Sequence, residues 1–129
     1  VLSSSWRSLR PYPEEPAWAD LRRGAEHFPN KIALIDAPGT RSTYRDLWDG
    51  ARRVAALLQR EAHLAPGETV ALGAMATREL VVAMYGAFLA GARVTTFNAR
   101  LKERELLAQL TDANAVVALA PAPLWWTIE

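Results

Sequence analysis

Three short apolar runs, Val70 to Leu72, Val94 to Phe97 and Val116 to Leu119, limit what this chain can fold into more than any other feature. None alternates charged with apolar residues, as a half-exposed strand would, so each reads as a strand covered on both faces. The segments between them have helical spacing. Thr77 is placed to cap a helix from about Arg78 to Ala90, and Gly91 can supply its left-handed end. That helix is apolar nearly all round (Leu80, Val81, Val82, Met84, Tyr85, Phe88, Leu89), which predicts burial on most sides. A second helix, Glu103 to Asp112, directs Leu106, Leu107 and Leu110 inward. Short connections between alternating strands and helices predict a parallel β-α-β-α-β sheet flanked by helices, an α/β fold.

Upstream, Trp18, Leu21, Ala25 and Phe28 recur at helical spacing, and Pro29 stops that helix. Ile32 to Asp36 reads as a strand, Pro38-Gly39 as a turn and Arg41 to Thr43 as its antiparallel return, a short β-hairpin. Thr43 with Asp46 three residues on forms a capping box with Asp in place of Glu. Leu47, Ala51, Val54, Ala55, Leu58 and Ala62 then share one face of a long surface helix, with Arg52, Arg53 and Arg60 off it.

Composition excludes several function classes. There are no cysteines among the 129 residues, so disulfides, thiolate nucleophiles and Cys-based metal sites are ruled out. The formal net charge is +1 with both signs interspersed, which argues against nucleic acid and against lipid headgroups as partners. No apolar run reaches the roughly 18 residues of a membrane span. His27 and His63 fall at predicted helix ends and read as solvated residues rather than as ligands or bases. The chain starts at Val1, which reads as trimming or an excerpt. Residues 1–13 carry Arg7, Arg10 and no acid, a faint transit-peptide pattern set against a plain disordered leader. The cytoplasm is the expected compartment.

Read in order, the pieces resemble the N-terminal segment of the acyl-adenylate-forming (AMP-binding) enzyme superfamily, closest to the acyl-CoA synthetases and other acid–CoA ligases. The residues that carry the resemblance are Phe28-Pro29-Asn30-Lys31-Ile32-Ala33-Leu34-Ile35, Thr43-Tyr44-Arg45-Asp46-Leu47, and Leu64-Ala65-Pro66-Gly67-Glu68-Thr69-Val70-Ala71-Leu72. Ala90-Gly91-Ala92, Phe97-Asn98-Ala99-Arg100-Leu101, Glu105-Leu106 and Leu110-Thr111-Asp112-Ala113-Asn114-Ala115 complete it. Each segment is weak alone; their order and spacing carry the similarity. Family members commonly have Pro where this chain has Ala99, a change expected to loosen one turn.

The resemblance implies an irregular leader over 1–16, an N-terminal α/β subdomain over 17–120 that is an incomplete portion of a larger α/β domain, and an irregular tail over 121–129. The tail carries Trp125 and Trp126 and is expected to expose apolar surface that drives self-association. For a full-length member the resemblance implies ATP, Mg²⁺ and CoA, with a carboxylic acid as substrate. Attack of a carboxylate on the α-phosphate builds charge on phosphorus, and the family answers it with a Ser/Thr/Gly-rich loop ending in Lys, an adenine-binding stretch, a ribose-binding Asp and a late Lys. None of these motifs occurs here. The last serine is Ser42, the last glycine Gly91, and the lysines are Lys31 and Lys102, both at positions that suit a surface.

No residue is therefore assigned a catalytic, cofactor-binding or metal-binding role. Gly73 to Thr77 joins a strand to a helix but lacks both phosphate-loop patterns. Asn98 and Arg100 follow the carboxyl end of a strand, the side on which open α/β sheets bind ligands, and are the two substrate-proximal candidates. Glu103 and Glu105 suit the first turn of a helix better than an acid–base pair. Two readings stand: the scaffold part of an acid–CoA ligase, whose partner is the C-terminal portion of the same enzyme, and a stand-alone relative that docks to a full-length ligase or another partner.

The helix faces generate a direct test. Leu106→Asp should unfold the chain, because a buried unpaired carboxylate costs several kcal/mol against a total stability of about 5–15 kcal/mol. Arg60→Ala should be nearly silent, and equal melting temperatures for the two variants would show that the faces are misassigned.

Overall fold

The computed structural model describes residues 14–37, 39–73, 76–98 and 100–120. The leader before residue 14 and the tail with Trp125 and Trp126 lie outside the described residues, as do Pro38, Ala74, Met75 and Ala99. The elements in chain order are α1 (Ala19–His27), β1 (Ile32–Ile35), β2 (Arg41–Thr43), α2 (Tyr44–Arg60), β3 (Thr69–Gly73), α3 (Arg78–Leu89), β4 (Arg93–Phe97), α4 (Glu103–Asp112) and β5 (Ala115–Leu119). All nine follow the sequence expectation to within a few residues.

The strands make two separate sheets. β1 and β2 form an antiparallel ribbon with a bulge between Ile32 and Leu34. The parallel sheet has the order β4-β3-β5, which puts β3 in the middle with all five of its residues buried. The chain steps from β3 to its neighbour β4, then crosses back over β3 to β5. Right-handed crossovers in opposite directions must place α3 and α4 on opposite faces of the sheet. The packing agrees: Val70 and Leu72 meet Leu58 and Ala87 on the α2/α3 side, while Ala71 meets Phe97 and Leu106 on the α4 side.

Helix α2 starts where the sequence says. The Thr43 N–H and hydroxyl donate to the Asp46 carboxylate at 2.9 and 2.7 Å, and the Asp46 N–H donates back to Thr43 Oγ1 at 3.1 Å. Aspartate therefore closes the capping box as glutamate would. Those donations, from the backbone first, hold the Asp46 carboxyl below its ordinary value of 3.8. Helix α1 lies on α2 through Trp18 and Trp48, whose ring centroids are 6.3 Å apart. Helix α3 ends on Gly91, whose φ of +84° is the left-handed conformation expected there.

Two of the expected burials differ. Helix α2 does not simply cover a sheet: its inner face lies along α3, and Leu47 and Ala51 join Leu34 of the ribbon to Val82 of α3. The two helices approach closely because each presents a glycine to a valine of the other. A Cβ on Gly86 would lie 2.6 Å from Val54 Cβ and 2.9 Å from the Ala51 carbonyl oxygen, and one on Gly50 would lie 2.9 Å from Val82 Cγ1. On α4, Leu106 is buried and Leu110 half-buried, but Leu107 is 51% exposed. Leu107 sits one residue, or about 100° of helix turn, past Leu106 and so falls off the narrow stripe that the sheet covers.

Gly86→Ala should lower the midpoint of thermal unfolding even though alanine is the better helix former. Overpacking against Val54 and the Ala51 carbonyl costs about 1–3 kcal/mol, against roughly 1 kcal/mol of helix propensity gained. A raised midpoint would mean that α2 and α3 do not touch at this point. Asp46 generates a pH prediction. Its lowered carboxyl binds a proton less tightly in the folded state, so its contribution is complete above the unfolded value of 3.8 and disappears as pH falls through the folded one. Asp46→Asn should thus melt lower than the parent at pH 7, with the gap closing below pH 3.8.

Candidate functional site

The carboxyl ends of β3 and β4 lie side by side, with Gly73 paired to Phe97 in the parallel register. Helix α3 follows β3 and α4 follows β4, and the two helices pack on opposite faces of the sheet. Asn98 follows Phe97 directly at the carboxyl end of β4, and Arg100 lies two residues further on. Phe97 is buried at 2% exposure and anchors the turn, and Gln109 of α4 donates its side-chain amide to the Thr96 carbonyl at 2.9 Å.

Asn98 shapes the turn itself. Its side-chain oxygen accepts the Arg100 N–H at 2.9 Å, and its carbonyl accepts the Leu101 N–H at 3.1 Å. This is an Asx turn, a conformational task that asparagine performs well. Both Asn98 and Arg100 are exposed, and among the described residues Arg100 has no carboxylate within ion-pair distance. The contribution of Arg100 to the turn is its backbone N–H.

A separate cleft of about 410 Å³ lies on the α3 face, beside the ends of β3 and β5. Its walls are Leu72, Leu80, Ala83 and Leu119, with Gly73 and Ala120 at the strand ends and Thr77 and Glu79 at the rim. Asn98 and Arg100 are not among its lining residues, so the structure does not bring the two candidates into this cavity. The sequence reading missed the cleft, although it held the signal: a helix apolar on every side needs cover on every side. Val82, Gly86 and Ala87 of α3 are buried, while Leu80, Ala83, Met84 and Leu89 are partly buried and pack against the core.

The other singled-out residues take structural parts. Thr77 Oγ1 accepts the Leu80 N–H at 3.4 Å and caps α3. Glu105 accepts the Lys102 N–H at 3.1 Å at the start of α4. Lys31 Nζ lies 5.6 Å from the centre of the Phe28 ring, a cation–π contact at the surface. His27 Nδ1 is 2.9 Å from the Arg23 carbonyl at the end of α1, and His63 is exposed beyond α2. Among the described residues no three His, Asp or Glu side chains gather into a metal site, and no helix is long and apolar enough to cross a membrane.

The sequence pattern of the AMP-binding enzyme family matches residues 21–127. The chain belongs to that family. The 2-succinylbenzoate–CoA ligase of Bacillus velezensis is 33% identical over 106 residues, which are 82% of this chain and 21% of the ligase. A long-chain-fatty-acid–CoA ligase of Haemophilus influenzae is 28% identical over 129 residues, all of this chain and 20% of that protein. The crystal structure of a benzoate–CoA ligase from Burkholderia xenovorans LB400 superposes with a TM-score of 0.77 at 32% identity, over 86% of this chain and 22% of that one. The chain thus spans about a fifth of the length of the relatives it matches, and its α/β fold is a partial domain.

Proposed function

We propose that this chain forms the N-terminal scaffold of an ATP-dependent, AMP-forming carboxylic acid–CoA ligase and holds none of the groups that act on the phosphates. The observation that carries the reading is the match to ligases over nearly the whole chain but only about a fifth of theirs. The residues present are consistent with it. Backbone caps and helix packing occupy Thr43, Asp46, Thr77, Asn98 and Glu105, and what these elements build is a rigid edge rather than a reactive centre. In the complete enzyme, ATP with Mg²⁺ activates the acid and CoA accepts the acyl group, and the residues for those steps belong to the longer remainder of the fold.

Within that reading Asn98 and Arg100 border the substrate side of the parallel sheet. Support comes from the position of both residues just past the carboxyl end of β4, the side on which open α/β sheets bind ligands, and from the exposure of Arg100. Arg100 then meets an anionic substrate group, and Asn98 fixes the turn that presents it.

The test is carboxylate-dependent exchange of pyrophosphate into ATP. The product of the gene in its native reading frame should catalyse it, and residues 1–129 alone should not. Exchange by the 129-residue chain alone would overturn the scaffold reading, and its absence from the native product would overturn the ligase reading. In the active product Arg100→Ala should raise KM for acid or ATP by about tenfold, the value of one charge-assisted hydrogen bond, with kcat little changed.

A further inference from the structure

Arg100 lies between two apolar anchors, Phe97 before it and Leu101 directly after it, and both anchors meet the same helix. Phe97 is buried with Ala71 and Leu106, and Leu101 packs against that cluster. Leu106 belongs to α4, so α4 holds both ends of the turn while Arg100 stays exposed. Inside the turn Asn98 accepts the Arg100 N–H with its side chain and the Leu101 N–H with its carbonyl, at 2.9 and 3.1 Å. These bonds fix the shape of the turn. Apolar burial is non-directional, so the two anchors alone do not set where the end of β4 stands along α4. Among the described residues β4 pairs only with β3, and no second strand holds it from the other side.

One directional contact does hold it. The Gln109 amide on α4 donates to the Thr96 carbonyl on β4 at 2.9 Å. The other side-chain hydrogen bonds among the described residues join positions no more than eight apart and serve helix ends, turns or surface ion pairs. This one spans thirteen and ties a helix to a strand of the parallel sheet. Gln109 stands three residues after Leu106, on the same face of α4, and is partly buried. It grips the residue directly before the Phe97 anchor. Its chemistry suits the place, since a glutamate has no proton to give a carbonyl and a lysine would keep its head in water. A neutral donor also secures the strand without offering Arg100 a carboxylate that competes with an anionic substrate.

We infer that Gln109 is a positioning residue for the Arg100 turn, and that its bond to Thr96 sets the height at which the turn presents Arg100 to an anionic group of the substrate. The inference rests on the reading of Arg100 given above and adds the residue through which α4 acts on it. Gln109 works through the main chain of β4 rather than by contact with substrate.

Gln109→Met removes the donor while keeping nearly the same side-chain length and helix propensity. It is introduced into the native-frame product alone and together with Arg100→Ala. KM and kcat in carboxylate-dependent exchange of pyrophosphate into ATP are measured for each variant, with the midpoint of thermal unfolding beside them. Gln109→Met should raise the same KM that Arg100→Ala raises, by about threefold, within the worth of one neutral hydrogen bond, and leave kcat little changed. The double variant should be no worse than Arg100→Ala alone, about tenfold, because the placement of a missing side chain no longer matters. Effects that multiply to about thirtyfold would overturn the inference, as would an unchanged KM with a lowered midpoint. In both cases Gln109 only supports the fold and Arg100 keeps its role. An Arg100→Ala variant with unaltered KM would remove the Arg100 reading and the inference with it, and a native product without exchange activity would remove the ligase reading as well.

Discussion

The close packing of α2 against α3 is the constraint on which the rest of the structure depends. Gly50 facing Val82 and Gly86 facing Val54 let the two helices approach until backbone and side chain of one fill the hollows of the other. Through that contact the β1–β2 ribbon, held by Leu47 and Ala51, is joined to the parallel sheet, held by Leu58 and Ala87. Without it the chain would be a ribbon and a three-stranded sheet with no common core, each too small to bury much apolar surface. Glycine in a helix interior is unfavourable by about 1 kcal/mol relative to alanine, and two such positions facing valines show the packing prevailing over propensity.

The two sheets on either side of one helical layer explain how the chain can be well packed and still incomplete. Among the described residues its interior is closed where α1 and the ribbon cover α2, and a cleft remains where α3 passes β5. Strand order extends the argument: β4 and β5 are the outer strands of the three, and each pairs on one side only among the described residues. A domain portion that makes up about a fifth of its relatives' length is expected to have such unfinished margins. Its chemistry is consistent with its position, since Thr43, Asp46, Thr77, Asn98 and Glu105 serve helix starts and turns.

Most of this fold was legible in the sequence because its signals are local. The capping box at Thr43, the cap at Thr77, the left-handed Gly91 and the apolar runs of β3, β4 and β5 each fix an element without reference to distant residues. Pairing and layering were not legible in the same way. That β3 is central, that α2 lies on α3, and that Leu107 turns outward while Leu106 turns in depend on contacts between elements far apart in the chain. The candidate site divides along the same line. The position of Asn98 and Arg100 past a strand end could be read directly, whereas the Asx turn that uses Asn98 and the cleft formed by Leu72, Leu80 and Leu119 needed the tertiary structure. The one sequence clue to the cleft was the uniform apolarity of α3, a statement about its surroundings rather than about itself.

The central claim, that these residues are the scaffold portion of a larger ligase, is tested most directly by the intact mass of the native product carrying them, measured on protein from its source cells. The matched 106 residues are 21% of the Bacillus velezensis ligase, so the account predicts a single polypeptide about four times the length of this 129-residue chain. A native product that ends at Glu129 would contradict it.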